Sequence, residues 1–490
     1  MPFTKAQEPL ISHFIIDTIK SYLPFEPTDD QNKVLAQLAN FLTPQSSSEL
    51  FLLKGYAGTG KTSLVGALVK AFVELKQKVI LLAPTGRAAK VLSLYAGQPA
   101  QTIHKKIYRQ KSAMDYSFQL DQNLHKHTLF IVDEASMISN LPSENSNFGS
   151  GYLLDDLLQY VYGGEGCRLL LLGDVAQLPP VGQTISPALD KAKLDSYGFQ
   201  TVEYQMTQVL RQSSESGILH NATMLRQKIE NGKTQDFPTF ETENFSDVIK
   251  ISGEDLIEKL DDAYHKDGLE NTMVITRSNK RANIYSQGVR GRILWKEDEI
   301  SSGDLLLVTR NNYFWGEQGA DSSTSPFDSS ATLTDRMDFI ANGDIAEVLR
   351  VRRHSTMYDF HFVELSLRFV DYEVEKDMLV WLDTLRAETP AEVSALNQKL
   401  YTLVNEDYAH IGNKRERVKL LRANKYYNAL QVKFAYAVTC HKAQGGQWKN
   451  VFIDQGYITG EMLGVEYYRW LYTAFTRATK RVFLVNFKQD

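Results

Sequence analysis

The chain has 490 residues, too many for one ordinary domain and enough for about three at roughly 150 residues each. Hydrophobic residues make up 43% and charged residues 23%, which excludes a disordered or fibrous chain. The formal net charge of −5 excludes a basic coat over the whole surface, while leaving room for a local basic groove.

Two cysteines, Cys167 and Cys440, are too few for a four-cysteine iron–sulfur cluster, a CxxC zinc site or a disulfide framework. A reducing cytoplasm is the expected compartment. Glu8 and Asp17 flank the first apolar stretch, which therefore does not read as a signal peptide. No run approaches the roughly 18 apolar residues that span a bilayer, so no membrane is expected as a partner.

In chain order, ELFLL (Glu49–Leu53) leads through a Gly-rich turn into SLVGALVKAFVEL, whose apolar residues recur at helical spacing. KVILLAP, TLFIVDE and RLLLLGD follow, each apolar on both faces and each ending in a polar or turn-forming cluster. Strands covered on both sides by helices read this way, so a doubly wound parallel sheet is expected over 1–205. From Gln200 to about Ile300 the α/β pattern restarts, with TMVITRS as a strand. Between about 301 and 430 the period becomes two, in LLLVTRNNYF, DIAEVLRV and FHFVELSLRFVDYEVE, which predicts a small antiparallel β unit. Thr389-Pro390-Ala391-Glu392 is a capping box with Pro at the first helical position. Behind it Val393, Leu396, Leu400, Leu403 and Val404 form one stripe, so a helical hairpin is expected within 371–430. The α/β pattern returns after Gln431, making 206–300 and 431–490 a second α/β domain interrupted by the insertion.

Gly55-Tyr-Ala-Gly-Thr-Gly60-Lys61-Thr62 fits G-x-x-x-x-G-K-[ST] between a strand and a helix, the context of a P-loop. Backbone N–H groups of Gly55, Gly58, Thr59, Gly60, Lys61, Thr62 and Ser63 are the candidate phosphate cradle, aided by the positive helix end. Lys61 can reach the β- and γ-phosphates and Thr62 can hold Mg²⁺. Asp133-Glu134 closes a strand, with Asp133 as the second metal candidate and Glu134 as the base that polarises the attacking water. Gln177, in the turn after the next strand, can touch that water or the γ-phosphate. Asn279-Lys280-Arg281-Ala282 and Asn413-Lys414-Arg415-Glu416 both lack the Asp of a guanine-reading element, which disfavours GTP.

Together these strings resemble the superfamily 1 helicases of the 5′→3′ branch, the RecD-like and Dda-like group, over about Thr28 to Phe487. GYAGTGKTS resembles motif I, APTGRAAKVL (Ala83–Leu92) motif Ia, and TIH (Thr102–His104) motif Ib. IVDEASM and GDVAQLPPVG are similar to motifs II and III, and TQVLRQ (Thr207–Gln212) to motif IV. TCHKAQG (Thr439–Gly445) resembles motif V, and LYTAFTRA (Leu471–Ala478) motif VI. Motif V departs from the family pattern at Ala443, where many members carry Ser.

The resemblance implies two RecA-like domains with ATP between them, an SH3-like β domain inserted in the second, and roles in repair, replication or recombination. It implies Gln31 as the adenine reader, and Arg211 and Arg477 as cations reaching the γ-phosphate from the second domain. The implied partners are single-stranded DNA and single-strand/duplex junctions, bound by a monomeric motor. Pro84, Thr85, Gly86, Arg87, His104, Thr439, His441 and Lys442 would line the DNA channel. Residues 105–127 correspond to the place of a strand-splitting hairpin, with Met114, Tyr116 and Phe118 as wedge candidates that could equally pack on their own domain. The basic stretches Arg277 to Arg292 and Lys414 to Lys425 could border DNA or be solvated helix faces. An RNA motor of the same superfamily and a RecD-like subunit of a nuclease complex are the alternative functions.

Overall fold

The computed structural model describes residues 8–43, 48–112, 115–142, 148–209, 216–312, 314–317, 340–371 and 374–487. The apolar runs of the first lobe are strands β1 (Glu49–Gly55), β2 (Lys78–Ala83), β3 (Ala100–Thr102), β6 (Thr128–Val132), β7 (Arg168–Gly173) and β8 (Gln200–Met206). They form one parallel sheet in the order β3-β2-β6-β7-β1-β8. Its unbroken hydrophobicity has a direct cause. Phe51 and Leu53 face the helices Asp29–Leu42 and Lys61–Glu74, whereas Leu50 and Leu52 face the helix Leu153–Tyr162 on the other side. All four side chains are fully buried, each contributing about 1.5–3 kcal/mol. The motif strings fall where β1, β2, β6 and β7 end, along one edge of this sheet.

β8 pairs in parallel with β1 from Glu49 to Gly55, so the segment beginning at Gln200 completes the first sheet before the second lobe starts. β4 (Tyr108–Ser112) and β5 (Asp115–Leu120) make a two-stranded antiparallel hairpin outside the sheet.

The second lobe is a five-stranded parallel sheet, β16-β10-β17-β18-β9. Its strands are β9 (Val248–Ile251), β10 (Thr272–Thr276), β16 (Ala437–Thr439), β17 (Trp448–Asp454) and β18 (Ala478–Val485). Inserted between β10 and β16 is a closed five-stranded barrel of β11 (Leu305–Val308), β12 (Ile345–Met357), β13 (Phe360–Phe369), β14 (Val374–Trp381) and β15 (Leu430–Phe434).

Two expectations are corrected here. The insertion from 371 is not helical throughout, because β14 pairs with the whole of β13 before the helices Asp383–Arg386, Pro390–Asp407 and Lys414–Ala423 follow. Nor does the α/β pattern resume directly after Gln431: LQVKF closes the barrel, antiparallel to β11 and parallel to β14, and the second sheet resumes at Ala437. A short apolar strand reads alike in either setting.

The stripe on the helix Pro390–Asp407 does bury Leu400 and Val404 against Phe360, Phe362 and Trp381 of the barrel. Thr389 accepts from the Glu392 N–H, but the Glu392 carboxylate reaches back one residue further than expected, to the Glu388 N–H at 2.7 Å.

The chain enters and leaves the barrel at one buried knot. Asp304, fully buried, accepts hydrogen bonds from Arg290 at 3.1 and 3.0 Å, Lys296 at 3.1 Å, the Tyr436 hydroxyl at 2.9 Å and the Ser301 N–H at 2.8 Å. Arg290 belongs to the second-lobe helix Asn279–Arg292, and Tyr436 to the segment leaving β15.

Candidate nucleotide and nucleic-acid site

The P-loop lies between β1 and the helix Lys61–Glu74. Gly58 and Gly60 take φ of 77° and 82°, conformations that cost L side chains free energy, so two of the motif's glycines are required by the turn itself. At Gly55 a Cβ would lie 2.9 Å from the Lys61 Cδ, so the third keeps the lysine's path clear. The Lys61 ammonium donates to the carbonyls of Gly55 and Tyr56, the latter at 3.0 Å, and must swing off them to meet phosphate.

Asp133 is half-buried just past the end of β6, and desolvation, reinforced by Glu134, raises its carboxyl to about 6. Glu134 sits at φ 53°, a left-handed conformation held by its N–H donating to the Asp133 Oδ1 at 2.8 Å. Such strain in a β-sheet's ligand-binding turn fixes where the carboxylate points. A carboxylate at the end of β6 and a P-loop hydroxyl, Thr62, form a donor set that suits Mg²⁺, which takes one or two protein oxygens plus phosphate and water. Among the described residues no cluster of three or more His, Cys, Asp or Glu competes as a metal site. Gln177 is buried and its Oε1 has no hydrogen-bond partner, an acceptor held ready in the cleft.

The second lobe reaches this pocket through the helix Val465–Phe475 and the turn after it. The Arg477 guanidinium, 4% exposed, lies 3.6 Å from the Glu134 carboxylate. It is aimed by its own bonds to Thr473 O at 3.2 Å, Gly446 O at 3.4 Å and Thr476 Oγ1 at 3.2 Å. Arg211 lies outside the described residues; Val209 and Leu219 lie against Gly58 of the P-loop.

The residue-by-residue reading missed Tyr472. Its hydroxyl accepts from the Ala57 N–H of the P-loop at 2.8 Å and donates to the Asp174 Oδ2 at 2.6 Å. Asp174 in turn accepts from the Ala176 N–H at 2.9 Å. One buried phenol therefore ties motif VI to motifs I and III, and burial raises its pKa well above that of a free tyrosine. Beside it the Leu178 N–H donates to Thr473 Oγ1 at 2.9 Å and Gln444 Nε2 donates to Leu178 O at 2.7 Å. Arg226, from the second-lobe helix Gly217–Glu230, covers the ring of P-loop Tyr56 at 4.4 Å. A tyrosine in a motif string offers no sequence signal for so distant a partner.

Gln31 has a different setting from the one expected. It is fully buried behind the P-loop, with Oε1 accepting from the Thr28 N–H at 3.0 Å and Nε2 donating to Thr59 O at 3.3 Å. It completes the capping box of the helix Asp29–Leu42 and braces the loop, leaving no exposed edge for adenine.

Of the expected DNA channel, motifs Ia and V meet across the lobes. A Cβ on Gly445 would touch the Ala88 Cβ at 2.8 Å and Thr85 Oγ1 at 3.2 Å, and Thr85 itself caps the helix Gly86–Ala96. The Arg87 guanidinium lies 4.1 Å over the Trp448 ring and donates to Gln447 O at 3.4 Å. Pro84 and Gly86 flank Thr85 in the same turn, Thr439 is half-buried, and His441 and Lys442 are exposed beside it.

His104 departs from this track. Its ring packs 5.0 Å from Phe148 and 5.7 Å from Tyr108, and burial lowers its pKa to about 4, so it is neutral near pH 7. Phe118 joins the same cluster, stacked on Phe148 at 4.9 Å, which makes it a foot of the hairpin instead of a wedge. Met114 and the Tyr116 side chain lie outside the described residues. Much of the basic stretch 277–292 is also used internally: Arg281 pairs with buried Asp454, Arg290 with Asp304, and Lys280 with Glu388.

A glycine-rich phosphate loop, an adjoining Asp-Glu pair and an arginine delivered from a second parallel sheet define a P-loop ATPase built from two RecA-like lobes. The comparisons agree. The AAA domain family profile matches residues 28–241, and the UvrD-like helicase C-terminal domain profile matches 434–485. The ATP-dependent RecD2 DNA helicase of Deinococcus radiodurans is 32% identical over 199 residues, covering 40% of this chain and 23% of that protein. The ATP-dependent DNA helicase dda of Enterobacteria phage T4 is 25% identical, covering 52% of this chain and 55% of its own. An uncharacterised protein of Acanthamoeba polyphaga mimivirus is 22% identical over 89% of this chain and 95% of its own. Among solved structures, Bacteroides Pif1 helicase in complex with ADP-AlF3 and single-stranded DNA aligns over 95% of this chain and 94% of its own, at 14% identity and a TM-score of 0.47. The chain is similar to the superfamily 1 helicases of the RecD/Dda type, and is an ATP-hydrolysing enzyme. No described helix is long and apolar enough to cross a membrane.

Proposed function

We propose that this chain is an ATP-driven motor that moves 5′→3′ along single-stranded DNA and separates duplex at single-strand/duplex junctions. The observation that carries the reading is the 3.6 Å approach of Arg477, from the second lobe, to Glu134 on the first. A guanidinium delivered by the far lobe stabilises the charge of the transferring phosphoryl group only while the cleft is closed. Fuel use is thereby tied to lobe position, and the strand that both lobes grip is carried with them.

In this reading the P-loop N–H groups and Lys61 bind the phosphates, and Thr62 and Asp133 hold Mg²⁺, which neutralises phosphate charge when bound. Glu134 takes the proton of the attacking water, Gln177 orients that water, and Arg211 joins Arg477. Motif Ia and motif V form the strand track, with Pro84, Thr85, Gly86 and Arg87 on one lobe and Thr439, His441 and Lys442 on the other. Motif contacts of this kind go to phosphates and base faces, so affinity should fall steeply with salt. The polarity comes from the RecD and Dda likeness, and the test is direct. Duplexes carrying a 5′ or a 3′ single-stranded tail are offered with ATP; unwinding of the 5′-tailed duplex alone is expected, and unwinding only from the 3′ tail overturns the proposal.

A further inference from the structure

The motif Ia helix, Gly86–Ala96, carries two cations one turn apart, Arg87 and Lys90, and both are held from outside their own lobe. Arg87 lies over Trp448 and donates to Gln447 O, both of the second lobe. Lys90 reaches the inserted barrel instead. Its ammonium donates to Val370 O, just past β13, at 2.8 Å and lies 3.8 Å from Asp371 Oδ1. The Val370 N–H donates to Ile345 O of β12 at 2.9 Å, so this acceptor is fixed in the barrel wall. Asp371 acts on Arg87 as well: desolvation lowers the guanidinium's pKa and the Asp371 charge pulls it back up. One barrel carboxylate therefore faces both cations of the motif Ia helix.

That carboxylate is poorly satisfied. The Asp371 side chain is 8% exposed, its Oδ1 is beyond hydrogen-bond reach of Lys90, and among the described residues its buried Oδ2 accepts no hydrogen bond. The contrast with Asp304 at the barrel's other junction is sharp, because Asp304 accepts five. A buried carboxylate short of donors costs free energy that a fully bonded one recovers. Asp304 is built to hold the barrel on the second lobe, and Asp371 is built to let go of the first. A strand phosphate brings the same single negative charge, with outward oxygens that can take donors from an arginine and a lysine together.

We propose that Arg87 and Lys90 form a phosphate subsite which Asp371 occupies in the phosphate's place, so that an entering strand must displace the barrel's carboxylate. The inference rests on the reading of motif Ia as part of the strand track. Strand entry and the parting of the barrel from the first lobe are then a single exchange of anions.

The experiment measures binding of a fluorescent oligothymidylate to the full chain by anisotropy. Asp371→Asn, which keeps the side chain's size and removes its charge, should tighten binding by about fivefold. A damaged fold would not produce such a gain. Lys90→Gln should weaken binding by a similar factor, and in that background the gain from Asp371→Asn should shrink to about twofold. Glu254→Gln removes an equal charge beside β9, at the edge of the second sheet opposite β16 and motif V, and should change nothing. Binding by the parent that Asp371→Asn leaves unchanged, or a gain that Glu254→Gln reproduces, would overturn this inference alone. Failure of the parent and every variant to bind the strand would overturn the track reading and this inference with it.

Discussion

The two parallel sheets of this chain are built alike and equipped oppositely. In the first lobe the turn leaving β1 has two left-handed glycines and a lysine that opens its helix, the local geometry that turns backbone N–H groups toward an anion. In the second, the turn leaving β9 is Ser252-Gly253-Glu254-Asp255, and its groups satisfy one another, with Ser252 Oγ donating to Asp255 at 2.7 Å and accepting from the Asp255 N–H at 3.2 Å. Two acids at that helix start would repel a phosphate. The second lobe instead sends Arg477 and Tyr472 into the first lobe's pocket. In the proposed function, one architecture thus serves as binder or as sensor according to a few turn residues, and the two would act together.

The largest effect should come from the binder. Lys61→Ala is expected to reduce DNA-stimulated phosphate release to background; a rate within about tenfold of the parent would break the division of labour. Next is the sensor's cation. Arg477→Ala should lower kcat by about 10³-fold while nucleotide affinity changes little, as measured by turnover and by fluorescent-nucleotide binding. A comparable loss of affinity would make Arg477 a binder too.

Tyr472→Phe sharpens the contrast further, because it deletes one oxygen between the lobes and leaves the Ala57 N–H and the Asp174 carboxylate without their partner. An unsatisfied buried group costs about 1–3 kcal/mol, so kcat should fall by roughly tenfold with the ATP KM nearly unchanged, alongside a modest fall in melting temperature. A change confined to melting temperature would make the phenol a mere structural tie.

The smallest effect is one of acidity. Desolvation raises the Asp133 carboxyl to about 6, and a proton there competes with metal. The Mg²⁺ concentration for half-maximal ATPase should therefore climb as pH falls through about 6, and a flat profile would remove Asp133 from the metal site.

Legibility in the sequence followed the range of each constraint. The P-loop could be read because its glycines and lysine answer to a turn of eight residues, and the strands because Leu50 to Leu53 must be apolar on both faces. What escaped depends on distant neighbours. Tyr472 and Asp174 are 298 positions apart, and nothing local marks either as the other's partner. Gln31 carries a family glutamine's position, but its side chain is consumed by Thr28 and Thr59. Phe118 looked available for prising bases apart until Phe148, thirty residues on, offered it a stacking surface. The β15 strand has the composition of a doubly covered strand, and only its pairing with β11 assigns it to the barrel.

The knot around Asp304 has a mechanical consequence. Five donors, drawn from the second-lobe helix and from both chain ends of the barrel, converge on one carboxylate that water does not reach. Tilting the barrel alone would strip that buried charge of its donors, a far steeper penalty than shearing a solvated linker. The inserted barrel is therefore fixed to the second lobe as a rigid outrigger, and any turn of that lobe would sweep its far end through a longer arc.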